Sequence, residues 1–402
     1  MKVAVVKETF PGERRVALIP AVLPSLTKAG WHVLLEAGAG ESAGFSDDEY
    51  RKKDAEIVPD RRAALDGGDV LLQVRTLGAN PEVGREDLEL LRPGQVVIGM
   101  CDPLGNPQAV QDLADQKTTL FAMEMLPRIT RAQSMDVLSS MATIAGYKAV
   151  LQAADHLPRL FPMLMTAAGT LVAAKVLVIG AGVAGLQAIA SARRLGAVVQ
   201  AYDVRPVVKE QIESLGARFV ELDLDTDDAE DKGGYAKQLT DEQVKMQQAQ
   251  LADIIAECNV CISTAAIPGK PSPLLITAEA VERMQSGSVI VDLGAERGGN
   301  CALTKADQTV VEHGVTILGP TNLPAEVPHH ASQMVAKNLV TFLLHLTSDG
   351  ELDIDFKDEI IRETLAAKDG QVQNKRLRDM LDLGPLTLPE SSPPIDHLAG
   401  KD

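Results

Sequence analysis

The fold of this chain is decided by residues 175–205, KVLVIGAGVAGLQAIASARRLGAVVQAYDVR. Residues 176–179 are β-branched and aliphatic, which predicts a buried parallel strand. Residues 180–185 follow in the pattern G-x-G-x-x-G, ahead of a stretch of helix-forming composition at 186–195. Residues 197–202 predict a second strand. This order of strand, glycine turn, helix and strand is typical of a doubly wound α/β domain.

Each polar or small position in this unit has a physical role. Gly180 permits a tight turn, Gly182 lets backbone amides approach a pyrophosphate, and Gly185 lets the helix pack close to the strand. The phosphates would then lie at the positive N-terminus of the helix. Asp203 ends the second strand. A carboxylate at this position accepts hydrogen bonds from both hydroxyls of an adenosine ribose and repels a 2′-phosphate. The unit therefore predicts NAD(H) binding, with NADP(H) kept open by Arg205.

Two other interpretations of the same stretch remain. One is an ordinary glycine turn in a large α/β protein. The other is a membrane span, because residues 176–192 carry no charge. The glycines, Gln187 and the flanking charges of Lys175 and Arg193 argue against a span.

Composition narrows the function classes. The chain has 402 residues, 45% hydrophobic content and a net charge of −17, which suits two domains with a sizeable core. The acidic balance argues against nucleic acid and an anionic membrane surface, and is compatible with a partner that presents basic groups. The N-terminal residues lack a secretory apolar segment and there are four cysteines, so we expect a cytoplasmic protein without disulfides. Cys258 and Cys261 are interpreted as core residues of a strand rather than a redox or metal site, and we predict no metal.

The rest of the chain alternates predicted strands and helices, which indicates two parallel sheets covered by helices. In the first 122 residues, strands are predicted at 3–6, 32–36, 56–58, 70–74, 96–99 and 119–122, and helices at 20–29, 47–54, 60–65, 86–91 and 107–116. Later strands are predicted at 218–220, 260–262, 289–293, 315–318 and 352–356, and helices at 137–156, 207–215, 241–256 and 329–346. We expect the last helix to return to the first domain, 157–164 to form a hinge, and 383–402 to be a disordered proline-rich tail.

Polar segments raise alternatives that the sequence leaves open. Residues 7–15 form either a solvated loop or a turn that lines a cleft. Residues 128–140, rich in Arg, Gln, Ser and Asp, form either a loop over a cleft or a solvated connection with a helix N-cap. The acidic residues 221–231 and Gly233–Ala236 after them form either a mobile loop tipped by an aromatic or a plain surface loop.

The chain resembles the alanine dehydrogenase/transhydrogenase family over about residues 1–365, and most closely the NAD(H)-binding domain of proton-translocating transhydrogenase. The most specific matching segments are Pro127–Asp136, Leu138–Ser140 and Ala145–Tyr147. Further matching segments are Gly233–Lys237, Ile267–Pro271 and Gly298–Cys301, whereas the start, VKETFPGERRVALIP, matches the whole family.

The resemblance implies roles for individual residues. Arg128, Gln133 and Asp136 would hold the nicotinamide side, on a loop that closes over it, and Ser139 would bond the carboxamide. The remaining implied contacts are with the pyrophosphate (Gly180–Val183), the adenosine ribose (Asp203), the adenosine pocket (Ala265, Ala266) and, from a mobile capping loop, Tyr235. Gly185, Val204, Arg205 and Gly234 complete the predicted cofactor-binding residues.

The resemblance also implies a domain division and a function. The division is 1–140 with 329–382, a discontinuous first domain, then 141–328 as the Rossmann domain that binds NAD(H), with a cleft between the two. The function is direct hydride transfer from NADH to NADP⁺ on a beta subunit, coupled to proton translocation by membrane-spanning partner subunits. The chain would be a homodimer, cytoplasmic and peripheral to the inner (plasma) membrane, with no direct insertion.

Two rival functions are an amino-acid dehydrogenase acting on alanine and a non-catalytic regulatory module that binds NAD. A dehydrogenase needs a positioned acid or base, whereas hydride transfer between two nicotinamides does not. At the positions of the Lys and His of the family's alanine dehydrogenases, this chain has Gln73 and Cys101-Asp102, which argues against that activity.

Overall fold

A computed structural model describes residues 1–223, 240–267 and 269–386. The predicted capping loop with Gly234 and Tyr235 lies outside the described residues, and so do residues 387–402 of the predicted tail.

The first third of the chain alternates strands and helices, as predicted. The strands are β1 (Lys2–Val5), β2 (His32–Glu36), β3 (Glu56–Val58), β4 (Val70–Arg75), β5 (Val96–Met100) and β6 (Thr119–Ala122), and the helices are α1 (Leu23–Lys28), α2 (Asp47–Arg51), α3 (Arg61–Gly67) and α4 (Pro107–Asp115). The predicted helix at 86–91 is instead part of a 3₁₀ segment, Val83–Glu89. The strands lie in the order β3-β2-β1-β4-β5-β6 and all pair in parallel, which is the order of a doubly wound sheet.

A 3₁₀ segment, Thr130–Met135, and the long helix α5 (Val137–His156) lead to a second sheet of the same order. The next elements are β7 (Leu164–Thr166), β8 (Gly169–Leu171), β9 (Lys175–Ile179), α6 (Val183–Arg194), β10 (Val198–Tyr202), α7 (Lys209–Ser214), β11 (Arg218–Phe219), α8 (Asp241–Ala256), β12 (Val260–Ser263), α9 (Ala278–Glu282), β13 (Val289–Asp292), β14 (Thr309–Glu312) and β15 (Val315–Leu318). The order β11-β10-β9-β12-β13-β15 is parallel, and β14 adds an antiparallel edge.

The C-terminal part of the described chain returns to the first sheet. Its elements are α10 (Pro328–His345), β16 (Thr347–Ser348), β17 (Glu351–Leu352), α11 (Glu359–Thr364), β18 (Leu365–Lys368), β19 (Gln371–Val372) and α12 (Lys375–Met380). Val335, Leu339 and Phe342 of α10 share one buried core with Val3 and Val5 of β1. The expectation of two doubly wound parallel sheets, with a first unit built from both ends of the chain, is therefore confirmed.

The predicted strand at 352–356 is wrong. Only Leu352 belongs to a strand, in the short hairpin β16–β17, and the strand that extends the first sheet is β18, antiparallel to β6. Asp349-Gly350 forms the turn of β16–β17, Asp369-Gly370 forms the turn of the second hairpin, β18–β19, and all four residues have positive φ. Asp-Gly between two strands is a strong hairpin signal, so the sequence does contain the information that locates these turns.

Two further hairpins were not predicted. The segment after the expected hinge forms the hairpin β7–β8, and β14 pairs with β15 across His313-Gly314, both of positive φ. Within the described residues, no helix combines the length and the apolar character that a membrane span requires.

Candidate functional site

The glycine turn between β9 and α6 is open at the helix N-terminus. Gly180 has φ of 95°, and Gly182 is the N-cap residue of α6. A Cβ at Gly185 would lie 1.8 Å from the Gly180 carbonyl oxygen, so this glycine is required by packing. A Cβ at Gly182 would meet no atom of the described residues within 4 Å, and Gly182 and Val183 are exposed. The turn therefore offers backbone amides and a helix dipole to an anion.

Asp203 lies at the end of β10, next to this turn, with its carboxylate already engaged. Its Oδ2 accepts hydrogen bonds from the Ala181 amide at 2.7 Å and from Arg205 Nη2 at 2.8 Å. Its Oδ1 accepts from the amide and from Nε of Arg205, both at 2.9 Å. Asp203 is 8% exposed. Two ribose hydroxyls could bond this carboxylate only by displacing the Arg205 guanidinium.

The ends of β12 and β13 complete this edge of the second sheet. Thr264 Oγ1 donates to the Gly180 carbonyl at 2.9 Å, which ties the glycine turn to the neighbouring strand end. Ala265 and Ala266 follow, and the Ala265 carbonyl accepts from Asn300 Nδ2 at 2.9 Å. Buried Asp292 in turn accepts from the Asn300 amide at 2.7 Å and from Thr304 Oγ1 at 2.7 Å. Sequence reasoning gave no role to Asp292 or Asn300, because their partners become neighbours only in the folded sheet.

The segment predicted to face the nicotinamide leads into α5. Asp136 is the N-cap of α5, and its carboxylate accepts from the Ser139 amide at 2.9 Å and the Ser139 hydroxyl at 2.5 Å. The N-cap alternative is therefore right for Asp136, and the Ser139 hydroxyl already has an internal acceptor. Arg128 and Gln133 are exposed. A helix N-cap and a ligand contact are compatible, because a carboxylate has about four acceptor positions.

Helices α5 and α6 bring these two regions of the site together. A Cβ at Gly146 of α5 would lie 2.1 Å from the Ala184 carbonyl oxygen in the first turn of α6. Ser139 lies two turns earlier in α5, about 10 Å along the helix axis. The glycine turn and the Asp136–Ser139 cap therefore lie on adjacent, closely packed helices.

Polar contacts join the strand ends of the two sheets. Arg15, after β1, pairs with Glu13 at 2.6 Å and donates to Asn322 Oδ1, after β15, at 3.3 Å. Asn322 Nδ2 donates to Glu13 Oε2 at 3.0 Å, and Asp102, after β5, contacts Arg297, after β13. The solvated-loop alternative is therefore wrong for Glu13 and Arg15, both of which are buried, and a cleft lined by this turn stays a prediction.

Three carboxyl groups near these strand ends have strongly shifted pKa values. Burial alone would raise the pKa of Glu13, but the hydrogen bonds from Arg15 outweigh it and lower the pKa to about 2. Burial raises the pKa of Glu8 to about 8, although the amides of Val74 and Arg75 donate to its carboxylate. Burial likewise raises the pKa of Glu124 to about 7; its Oε1 accepts from the Asp102 amide, and its Oε2 has no partner within the described chain.

Gln73 and Cys101, whose identities argue against an alanine dehydrogenase activity, both interact with other residues of the described chain. Gln73 is buried and donates to Asp87 Oδ2 at 3.2 Å, and burial raises the pKa of the Cys101 thiol well above its usual range. Neither side chain is a base at neutral pH.

The cysteines are core residues. Cys258 and Cys261 are buried free thiols, like Cys101 and Cys301. In the regions that the structure describes, no three His, Cys, Asp or Glu side chains converge as metal ligands would.

Comparison with known proteins places the chain in a family. The model for the N-terminal domain of alanine dehydrogenase/PNT matches residues 4–145, and that for the C-terminal domain matches residues 149–375. An NAD(P) transhydrogenase subunit alpha polypeptide of Rhodospirillum rubrum is 45% identical over 380 residues, 94% of this chain and 99% of the relative. The corresponding polypeptide of Rickettsia prowazekii is 41% identical over 379 residues, 94% of this chain and 98% of the relative.

Solved structures agree with these sequence matches. The crystal structure of transhydrogenase from Sinorhizobium meliloti has a TM-score of 0.81 at 42% identity and covers 94% of this chain and 100% of that one. An L-alanine dehydrogenase has a TM-score of 0.79 at 24% identity, covers 95% of this chain and 99% of that one, and shows the shared fold. On the strength of these matches, the chain belongs to the alanine dehydrogenase/PNT family, as a member of the transhydrogenase kind.

Proposed function

We propose that this chain is the NAD(H)-binding alpha subunit of a proton-translocating transhydrogenase, and that it passes hydride directly from NADH to NADP⁺ held on a partner beta subunit. The observation that carries the proposal is the open N-terminus of α6 at Gly182, on a helix that packs closely against α5, the helix capped by Asp136 with Ser139. The similarity to transhydrogenase alpha subunits over nearly the whole chain supports this function over the others of the family.

The proposed cofactor contacts follow the two adjacent helices. Pyrophosphate would bind at Gly180, Gly182 and Val183, on a turn whose shape depends on Gly185, and the adenosine ribose at Asp203, beside Val204 and Arg205. Ala265 and Ala266 would line the adenosine pocket. Arg128, Gln133, Asp136 and Ser139 would orient the nicotinamide, and Gly234 and Tyr235, outside the described residues, would cap it.

The proposed hydride transfer between two nicotinamides needs no general base. The nicotinamide supplies the hydride, and the residues of this chain bind, orient and exclude water. The buried amide of Gln73 and the buried thiol of Cys101 favour this role over an amino-acid dehydrogenase, which must also move a proton.

The partners follow from the same proposal. NADP(H) would be bound by the beta subunit, and proton translocation would be carried out by membrane-spanning partner subunits. The chain would therefore lie in the cytoplasm, at the surface of the inner (plasma) membrane. Its net charge of −17 suits docking on a basic protein surface and argues against nucleic acid.

We also infer that the chain is a homodimer joined through the hairpin β7–β8. All residues of both strands are exposed, and Met163, Met165 and Val172 are 58, 79 and 78% exposed. A lone two-stranded hairpin is marginally stable in water, and a second copy would cover these apolar side chains.

We assign residues 1–140 with 329–382 to one domain, residues 141–328 to the NAD(H)-binding domain, and 383–402 to a tail. Sheet membership supports the first two ranges, because β1–β6 and β18 share one sheet and β9–β15 share the other.

The decisive experiment measures hydride transfer from NADH to an NADP⁺ analogue, with this chain alone and with the NADP(H)-binding subunit added. We expect turnover only in the mixture. Arg128→Ala, Gln133→Ala and Asp136→Asn should each lower the rate about tenfold or more, because misorientation of the reacting groups is costly. Asn is chosen at position 136 because it preserves helix capping.

Gln116→Ala, an exposed glutamine at the end of α4, is the matched control and should leave the rate unchanged. Absence of turnover in the mixture, despite NADH binding, would sink the proposal and favour a regulatory module. Reduction of NAD⁺ with alanine would instead identify a dehydrogenase.

A further inference from the structure

The 3₁₀ segment Thr130–Met135 has three distinct faces. A 3₁₀ helix has three residues per turn, so residues three apart share a face. Ala132 and Met135 are buried in the core, whereas Thr130 and Gln133 are exposed. Arg131 and Ser134 share the third face, and the side chain of Arg131 and the backbone carbonyl of Ser134 both bond the C-terminal region of the chain.

The first of these bonds is an ion pair between Arg131 and Asp358. Nη1 and Nη2 of Arg131 lie 2.9 and 3.2 Å from the two carboxylate oxygens of Asp358, a bidentate arrangement. Asp358 is the N-cap of α11 and accepts from the Ile360 amide at 2.8 Å, and His345 Nε2 at the end of α10 lies 3.2 Å from it. The hydrogen bond from Arg131 is the main cause that lowers the pKa of Asp358 to about 2, so the carboxylate stays charged at neutral pH.

The second bond holds the next turn of the segment. Asn338 of α10 donates from Nδ2 to the Ser134 carbonyl at 2.8 Å. Asn338 is 6% exposed, and its Oδ1 has no partner among the described residues. Within the described residues, the hydrogen bond to the Ser134 carbonyl is therefore the one that the Asn338 side chain makes.

We propose that Asp358 and Asn338 are positioning residues, which fix the rotation of the segment Thr130–Met135 before any nucleotide binds and so set the direction of Gln133 and the Asp136 cap. This inference rests on the proposed role of Arg128, Gln133 and Asp136 at the nicotinamide. With one face packed in the core and a second tied to α10 and α11, the exposed face has a single orientation. Ordering the segment in advance lowers the entropy cost of binding.

The test begins with the cofactor-free chain. Asp358→Asn removes the charge pair but keeps an acceptor for the α11 cap. Amide hydrogen exchange across residues 130–136 should become faster in this variant and in Asn338→Ala, with little change elsewhere. Arg131→Met should match Asp358→Asn, and the double variant should add nothing to either single one, because both remove the same interaction.

A matched control exists in the same chain. Arg85 and Asp112 form a pair at 2.8 Å whose side chains are 57 and 18% exposed, the values found for Arg131 and Asp358. Asp112→Asn should shift the unfolding midpoint as little as Asp358→Asn does, without changing exchange at 130–136.

The functional measurement separates orientation from general damage. Asp358→Asn should raise the Kd and KM for NADH about two- to fivefold, the range expected for a partly exposed ion pair, and leave the KM for NADP⁺ on the partner unchanged. Unchanged exchange and unchanged NADH affinity in Asp358→Asn would overturn the inference. If the wild-type chain binds NADH without transferring hydride, the proposed function fails, whereas exchange and NADH affinity still decide whether these residues position the segment.

Discussion

At the scale of single residues, the three glycines of the turn have different reasons to be glycine. Gly180 needs its positive φ, and Gly185 needs the absence of a Cβ for α6 to approach β9. Gly182 has neither constraint, since its φ is −75° and the space beside it is open. No contact among the described residues requires glycine at position 182, and we expect the open space beside it to admit a ligand that approaches the backbone.

This difference gives a prediction. Gly182→Ala should leave the unfolding midpoint within about 1 °C of wild type yet weaken NADH binding about tenfold, because the new methyl group occupies ligand space. Gly185→Ala should destabilise folding by about 1–3 kcal/mol, as overpacking does. Thermal unfolding and fluorescence titration with NADH check both. If Gly182→Ala binds NADH as tightly as the wild type, the pyrophosphate does not bind at this turn.

At the scale of elements, the hairpin β7–β8 is the feature least explained by a single copy of the chain. Most strands of the two large sheets of the described chain are buried in the core, but this hairpin and the residues beside it expose Met163, Met165 and Val172 to solvent. The homodimer inferred above gives it a partner.

Met165→Asp combined with Val172→Asp should convert the dimer to monomers. Burying two such side chains contributes about 3–6 kcal/mol, so the dissociation constant should rise about 100-fold or more. Sedimentation velocity over a concentration series measures this. Val311→Asp, at a 64% exposed position on the edge strand β14, is the control and should stay dimeric. A wild-type chain that sediments as a monomer would refute the homodimer.

At the scale of the whole molecule, the two sheets meet at their carboxyl ends through buried and partly buried charges. The carboxylate of Glu124 accepts a hydrogen bond from the Asp102 amide, and the Asp102 side chain pairs with Arg297, which follows β13 of the other sheet. The raised pKa of Glu124 means that the folded state holds a proton that the unfolded state releases above pH 4.5. The free energy of unfolding should therefore fall as the pH rises from 4.5 to 7, because the unfolded state binds fewer protons.

Glu124→Gln should reduce this slope by at most about 1.4 kcal/mol per pH unit, because Gln cannot titrate. Urea unfolding at half-unit intervals between pH 4.5 and 8 provides the measurement. Glu8, with its pKa near 8, should leave a residual slope in the variant. Glu282→Gln, at an exposed position of α9, should behave as wild type. An identical slope in Glu124→Gln and wild type would contradict the assignment.

The amino-acid sequence by itself determined the local units of this protein. The strand, glycine turn and helix at 175–194, the long helix α5 and the carboxylate at Asp203 follow from residue spacing and from the conformations that glycine permits. The Asp-Gly hairpins belong to this group too, since both residues of each turn favour positive φ, although neither hairpin was predicted. These features depend on residues a few positions apart in the chain, so the order of the amino acids is enough to predict them.

Only the tertiary structure decided how these units are paired. It placed Gly146 against Ala184, joined Arg131 to Asp358 and gave Asp203 its bond from the Ala181 amide. It also raised the pKa values of the half-buried Glu8 and Glu124, for which no local pattern exists. Hydrogen bonds and desolvation depend on which groups the sheet order and helix packing bring within a few ångströms, and residues far apart in the chain meet only when the whole fold forms.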